Sequence, residues 1–207
     1  MEKSPNSNEG FSWENYYRLH EHAPHSRHLE IAVKKYLTEK SAALDVGAGN
    51  LRDTKYLLEQ GFTVTALDPD PMSIKRAEEL HHPLLQAVQE VVGKWNAPDN
   101  HFSLINAQGI LFHFPPERFR HVMQKLYKAL KTGGVLCAEF LGTNDTWNHS
   151  NTEMTFLTKE ELIAILEDYE IEVLDELERD GTSAASQIDG KDELKHWHVF
   201  KVIAVKK

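Results

Sequence analysis

Residues 42–50 read Ala-Ala-Leu-Asp-Val-Gly-Ala-Gly-Asn, a short apolar run that ends in a carboxylate and turns through two glycines. Apolar residues then return at helical spacing over 51–58. Strand, tight turn and helix start in that order set backbone N–H groups against a nucleotide-like ligand. Gly47 and Gly49 permit positive φ and let a ligand approach the main chain. Ordinary turns also contain Gly-x-Gly, so the surroundings carry the reading. Twenty-three residues past Asp45, a second strand-like run over 62–67 ends in another carboxylate, Asp68. An acid at that place can hydrogen-bond a ribose diol. Its other reading is an N-cap for the helix that follows Pro69.

The turn discriminates between nucleotides. A dinucleotide fingerprint requires glycine at 52, where this chain has Arg52 followed by Asp53. A carboxylate beside a helix N-terminus repels a pyrophosphate bound there. Asp45, just before the turn, can instead hold a cationic amino group. A ligand with adenosine, an ammonium and no phosphate fits better than NAD, and S-adenosylmethionine is such a ligand.

On these residues the chain resembles the class I S-adenosylmethionine-dependent methyltransferases. The likeness rests on 44–49, on Asp68, and on Leu-Lys-Thr-Gly-Gly at 130–134, and it covers about 40–141. The Gly-Asn step at 49–50 and the phrase Leu-Asp-Pro-Asp-Pro-Met-Ser-Ile at 67–74 are most similar to the small tellurite-resistance-type branch. The chain departs from that branch at Leu51, where a third glycine is usual. The resemblance implies a Rossmann-like α/β fold: a seven-stranded, mostly parallel sheet with an antiparallel last strand and helices on both faces. It also implies S-adenosylmethionine as cofactor. Gly47 and Gly49 would back its methionine part and Asp68 would take its ribose hydroxyls, with Asp45, Ala48, Asn50 and Pro69 also among the cofactor-binding residues. Glu90 and Val91 would flank adenine, with Glu90 where an aspartate is usual. Asn106, Ala107 and Gln108 would face the methionine end.

The 207 residues suit a single domain, 1–207, with 1–39 as an N-terminal arm and helix. A net charge of −9, from 32 acids and 23 bases with no basic tract, argues against a nucleic-acid partner. The one cysteine, Cys137, lies in an apolar run and reads as a small buried hydrophobe. It allows no intrachain disulfide, in keeping with the cytoplasm. No run of membrane length appears, so no membrane partner is expected. The expected state is a monomer or weak dimer with a small-molecule acceptor.

Along the chain, 1–9 is a polar tail, and Phe11, Trp13, Tyr16 and Tyr17 follow as an aromatic cluster. That cluster either staples the arm to the sheet or covers the ligand. His20, His22, His25 and His28 invite a metal reading, but no cysteine or acidic set joins them, so they read as a solvated helix edge and no metal is expected. A helix from Pro24 keeps Leu29, Ala32, Val33, Tyr36 and Leu37 on one face. Strands are expected at 42–46, 62–67, 84–88, 101–106, 135–141, 171–173 and 197–205. Helices are expected at 51–60, at 71–80, from Pro115 to the Gly133–Gly134 pair, and after a capping box at 158–161. The short gap between 88 and 101 leaves no room for a full crossover helix. No helix is expected between the last two strands.

Methyl transfer needs alignment above all, because the cofactor carries the reactivity. An acceptor pocket is expected from Trp13, Tyr17, Phe112, His113, Phe140 and Trp147. His196 and His198, two apart on the final strand and so on one face, are the candidate catalytic pair. The competing readings are a non-catalytic nucleotide- or partner-binding domain on the same scaffold and a nicotinamide oxidoreductase, the latter weakened by Arg52 and Asp53.

Overall fold

Strand β1 (Ala42–Val46) lies inside a sheet whose order is β3 (Leu85–Val88), β2 (Thr63–Leu67), β1, β4 (Phe102–Ala107), β5 (Leu130–Gly142), β8 (Leu194–Lys206) and β7 (Tyr169–Thr182), in the computed structural model of the chain. Residues 12–37, 39–149, 153–188 and 190–207 are described; the polar 1–9 tail and Phe11 lie outside them. Strands β2, β3, β4 and β5 run parallel with β1. A two-residue β6 (Phe156–Leu157) adds to the end of β5, and β8 is antiparallel to both β5 and β7. The sheet is therefore the Rossmann-like α/β sheet with an antiparallel last strand that the sequence implies.

Adjacent residues along each strand feed opposite faces, because side chains alternate with period two. Leu44, Ile105, Phe140, Phe200 and Val202 face one core under α5 (Pro116–Ala129) and α6 (Lys159–Ile165). Ala43, Leu104, Cys137 and Ile203 face the other, under α2 (Arg27–Ile31) and α3 (Arg52–Glu59). Helix α2 starts at a Ser26 N-cap and continues as a π-helical turn over Ala32–Tyr36. The remaining helices are α1 (Trp13–Leu19), α4 (Pro71–Glu79) and the five-residue α7 (Ala184–Ile188).

Three local expectations need correction. Helix α5 ends at Ala129 instead of at the glycine pair, since Leu130 already has extended geometry, and Gly133 forms a positive-φ turn within the start of β5. A short helix, α7, does intervene between the last two strands. Strand β7 runs far past 173, because its outer half is held by cross-strand ion pairs instead of burial and so shows no apolar alternation. Between β3 and β4 there is a single turn, as the short gap required: Lys94 and Trp95 N–H both donate to the Val91 carbonyl.

Candidate active site

The order of the sheet reverses between β1 and β4, and the crossovers leave in opposite directions, which opens a notch at the two carboxyl ends. A cavity fills that notch. Its walls are the turn 45–50, Arg52 and Asp53 at the head of α3, Asn106 and Gln108 beyond β4, and Tyr16 and His20 from the N-terminal arm.

The turn is built as its glycines suggest. Gly47 and Gly49 have φ of +69° and +52°. The N–H groups of Gly47 and Ala48 donate to the Leu67 carbonyl at 2.8 and 3.3 Å, tying the turn to the end of β2. A Cβ on Gly47 would stand 3.0 Å from Ile110 Cγ1, so the turn also packs against the far wall.

Asp45 is buried and accepts from Thr54 Oγ1 at 2.5 Å and from Asn106 Nδ2 at 2.8 Å. Burial first, and the neighbouring Asp53 charge second, push its pKa up to about 6 against the pull of those two hydrogen bonds. Asp53 is gripped by Arg52 through Nε and a terminal nitrogen at 3.0 and 2.9 Å, and also accepts the Ser26 N–H at 2.8 Å. The Asn106 amide nitrogen faces both acids, with Asp53 Oδ2 at 3.3 Å. Its Oδ1 is thereby left buried with no partner among the described residues. A buried orphan acceptor costs about 1–3 kcal/mol, so its persistence beside a carboxylate marks a place for a ligand donor. An ammonium, with three donors, is a partner that a carboxylate and an amide oxygen both accept. The residues present therefore fit the amino-acid end of S-adenosylmethionine.

Asp68 accepts the Gly49 N–H and the Asp70 N–H, each at 2.8 Å, so it clamps the glycine turn to the β2–α4 loop. The capping reading moves two residues along, because Asp70 is the N-cap of α4 and accepts the Met72 N–H at 3.0 Å. Each Asp68 oxygen keeps a second lone pair for a hydroxyl. Pro69 is exposed, and its carbonyl accepts from Gln89 Nε2. Glu90 turns back to accept the Val91 N–H at 2.8 Å, and the Ala107 side chain points into the core. The arm lies over this half: Tyr17 is buried, with its ring edge within 3.4 Å of where a Gly49 Cβ would be, and Trp13 stacks on Tyr17 at 6.3 Å. Burial and the charges of Asp68 and Asp70 push the Tyr17 phenol far above its ordinary value.

The residues of the expected acceptor pocket do not all meet: Phe112 and Trp147 share one cluster, while Trp13 and Tyr17 belong to the N-terminal arm. Strand β8 is three strand spacings from β1, about 14 Å, and its opening residues meet β5 and β7 instead of the notch. Phe140 packs edge-on to Phe119 in the core, and Phe112 joins Leu141 and Met154. His113 is half-buried, and the loss of solvation around its ring drives its pKa down to about 4. Trp147 and Trp197 flank the Lys195 ammonium at 3.7 and 3.6 Å. His196 and His198 do share a face, but neither lines the cavity. His196 lies between Asp180 and Glu178 at 2.9 and 2.8 Å, and those carboxylates raise its pKa. His198 Nδ1 accepts the Asn144 N–H at 3.1 Å, so the neutral ring carries its proton on Nε2, facing Glu176 at 3.2 Å. The ligand atoms of Glu176, Glu178 and His198 lie within 4.8 Å of one another, yet that tautomer leaves His198 no lone pair for a cation or a substrate proton. His20, Arg52 and Asp53 line the cavity, whereas in the sequence His20 reads as helix edge and Arg52 and Asp53 only disfavour NAD. The lid reading of the arm was the one available signal for His20.

Comparison with known proteins agrees with this geometry. Residues 43–134 match the family model of a methyltransferase domain. An uncharacterized methyltransferase of Synechocystis is 26% identical over 104 residues, 50% of this chain and 49% of that protein, so the chain matches about half the length of that relative. The structure of TehB from Haemophilus influenzae superposes with a TM-score of 0.72 at 16% identity, covering 95% of this chain and 68% of that one. The Burkholderia thailandensis 1,6-didemethyltoxoflavin N1-methyltransferase, bound to 1,6-didemethyltoxoflavin and S-adenosylhomocysteine, gives 0.65 at 19% identity over 87% and 77% of the two chains. These likenesses show the class I methyltransferase fold.

Proposed function

We propose that this chain, whose residues 43–134 match the model of a methyltransferase domain, transfers the methyl group of S-adenosylmethionine to a small-molecule acceptor. The observation that carries the reading is the unpartnered Asn106 Oδ1 beside Asp45 at the point where the sheet order reverses. Asp45 and Asn106 hold the ammonium, the 47–50 turn backs the methionine chain, and Asp68 takes the ribose hydroxyls. Glu90 and Val91 border the adenine, while Asn106 and Gln108 face the reacting end. The cofactor, when bound, supplies an activated methyl group on a sulfonium. The protein aligns the acceptor in line with it and keeps water away, for which the arm through Tyr16 and Tyr17 is placed. The residues at 49–50 and 67–74 favour the small tellurite-resistance-type branch, and the likeness to TehB supports the same assignment.

Titration calorimetry with S-adenosylmethionine, S-adenosylhomocysteine and NAD tests this reading. The two sulfur ligands should bind and NAD should not. Gly49→Val places a branched residue at positive φ against the ligand and should abolish binding for a stability loss of about 1–3 kcal/mol. Binding of NAD in preference, or full affinity in the variant, would overturn the assignment.

A further inference from the structure

His20 follows α1 directly and enters the cavity from the arm. Its placement is fixed at three points. Asn50 Nδ2 donates to its carbonyl at 2.6 Å, its ring lies on Tyr16 with centroids 4.4 Å apart, and its Nδ1 stands 2.9 Å from the Tyr16 carbonyl oxygen. A carbonyl can only accept, so Nδ1 carries a hydrogen in either charge state of the ring. The neutral imidazole then has its lone pair on Nε2, which pairs with nothing among the described residues. His198 has the opposite arrangement, its Nδ1 lone pair being taken by a backbone N–H.

The other titratable groups of the cavity are engaged. Asp45 accepts from Thr54 and Asn106, and Asp53 from Arg52, Ser26 and Asn106. Arg52 is a permanent cation, and burial raises the Tyr16 phenol. A histidine with Nδ1–H on a carbonyl and a free Nε2 lone pair is set to take a proton.

Resting on the methyltransferase reading, we propose that His20 Nε2 is the general base of the transfer and that the acceptor is protic, a small molecule presenting an O–H or N–H group. The acceptor heteroatom forms a bond to the methyl carbon as the carbon–sulfur bond breaks and sulfur keeps that electron pair. The heteroatom's hydrogen passes to Nε2. The resulting imidazolium is stabilised through Nδ1–H on the Tyr16 carbonyl and returns its proton to solvent. A thioether sulfur, or the central atom of a metalloid oxyanion, attacks through a lone pair that bears no hydrogen and would need no such residue.

The test uses the full chain labelled with ¹⁵N and loaded with S-adenosylhomocysteine or S-adenosylmethionine. Long-range nitrogen–proton correlations at neutral pH should show His20 Nε2 unprotonated. Its signal should move when the sulfonium ligand replaces the neutral one, while His101, at the opposite end of β4, stays in place. A protonated Nε2, or a signal indifferent to the exchange although both ligands bind, would overturn the proposal. Failure of either ligand to bind would fell the methyltransferase reading and the proposal with it. A second arm offers radiolabelled S-adenosylmethionine with phenols, aliphatic alcohols and amines beside dimethyl sulfide, selenite and tellurite. Transfer should go to the protic set, and His20→Gln should lower kcat by roughly 10²–10⁴-fold with cofactor affinity unchanged. Transfer confined to the proton-free set, or undiminished in His20→Gln, would refute the role.

Discussion

Leu51 has a φ of +64° and is almost wholly buried, packed against Ala48, Ala66 and Ala77. It stands where the resembling family usually has glycine, and the backbone explains why. The turn needs a left-handed residue there, which costs a leucine about 1–2 kcal/mol, and side-chain burial offsets that cost. Removing the side chain opens a cavity, but only glycine also relieves the backbone. Leu51→Ala should therefore lose about 2–5 kcal/mol in urea unfolding, and Leu51→Gly about 1 kcal/mol less. Equal losses, or glycine the worse of the two, would mean that the turn is unstrained. The acids and glycines of this turn were legible in the sequence because they are local chemistry. His20 was not, because its role depends on Asn50 and Tyr16 meeting it in space.

At the scale of elements, the loop after β5 is latched to the start of β8 by Asp145. This fully buried carboxylate accepts from Lys195 Nζ at 2.5 Å, Trp147 N–H at 3.0 Å and His198 N–H at 3.2 Å. Burial lowers the Lys195 pKa, and Asp145 opposes that shift. Gly142 is required in the same latch, since a Cβ there would overlap the His198 ring. Asp145→Ala leaves an ammonium stranded between two indoles and should cost about 3–5 kcal/mol. Asp145→Asn combined with Lys195→Met removes both charges and should regain most of that in chemical denaturation. A double variant as unstable as Asp145→Ala would mean that the backbone contacts, not the charge pair, hold the loop. In the sequence Trp147 reads as part of an acceptor pocket, and Lys195 and Trp197 carry no such signal. They form a closed latch because each finds its partner across the β5–β8 junction.

For the whole molecule, Asp45 couples fold, cofactor and pH. Its folded pKa, near 6, lies above the ordinary carboxylate value of 3.8, so the native state holds this proton more tightly. The associated stability is complete below about pH 4 and is lost as pH rises through about 6, on the order of 1–3 kcal/mol. Unfolding of Asp45→Asn across pH 4–8 should lack that component, and curves that stay parallel to the native protein's would refute the shift. An ammonium beside Asp45 favours the ionised form, so affinity for S-adenosylmethionine should climb with pH and be about tenfold weaker at pH 5 than on its plateau. Strand direction was readable from alternating strands and helices, whereas the reach of β7 and β8 was not, since their outer halves are charged.

The position of β8 has a bearing on how the chain is made. Among the described residues strand β7 pairs only with β8, and β8 separates it from β5. Until residues 194–206 have left the ribosome, β7 has no sheet to join and β5 presents an open edge. The parallel half, 42–142, can assemble from contacts already synthesised, but closure of the sheet waits on a segment inserted behind it in space and after it in time. The molecule is thus a two-stage assembly in which the nascent chain holds a finished cofactor notch beside an unfinished sheet.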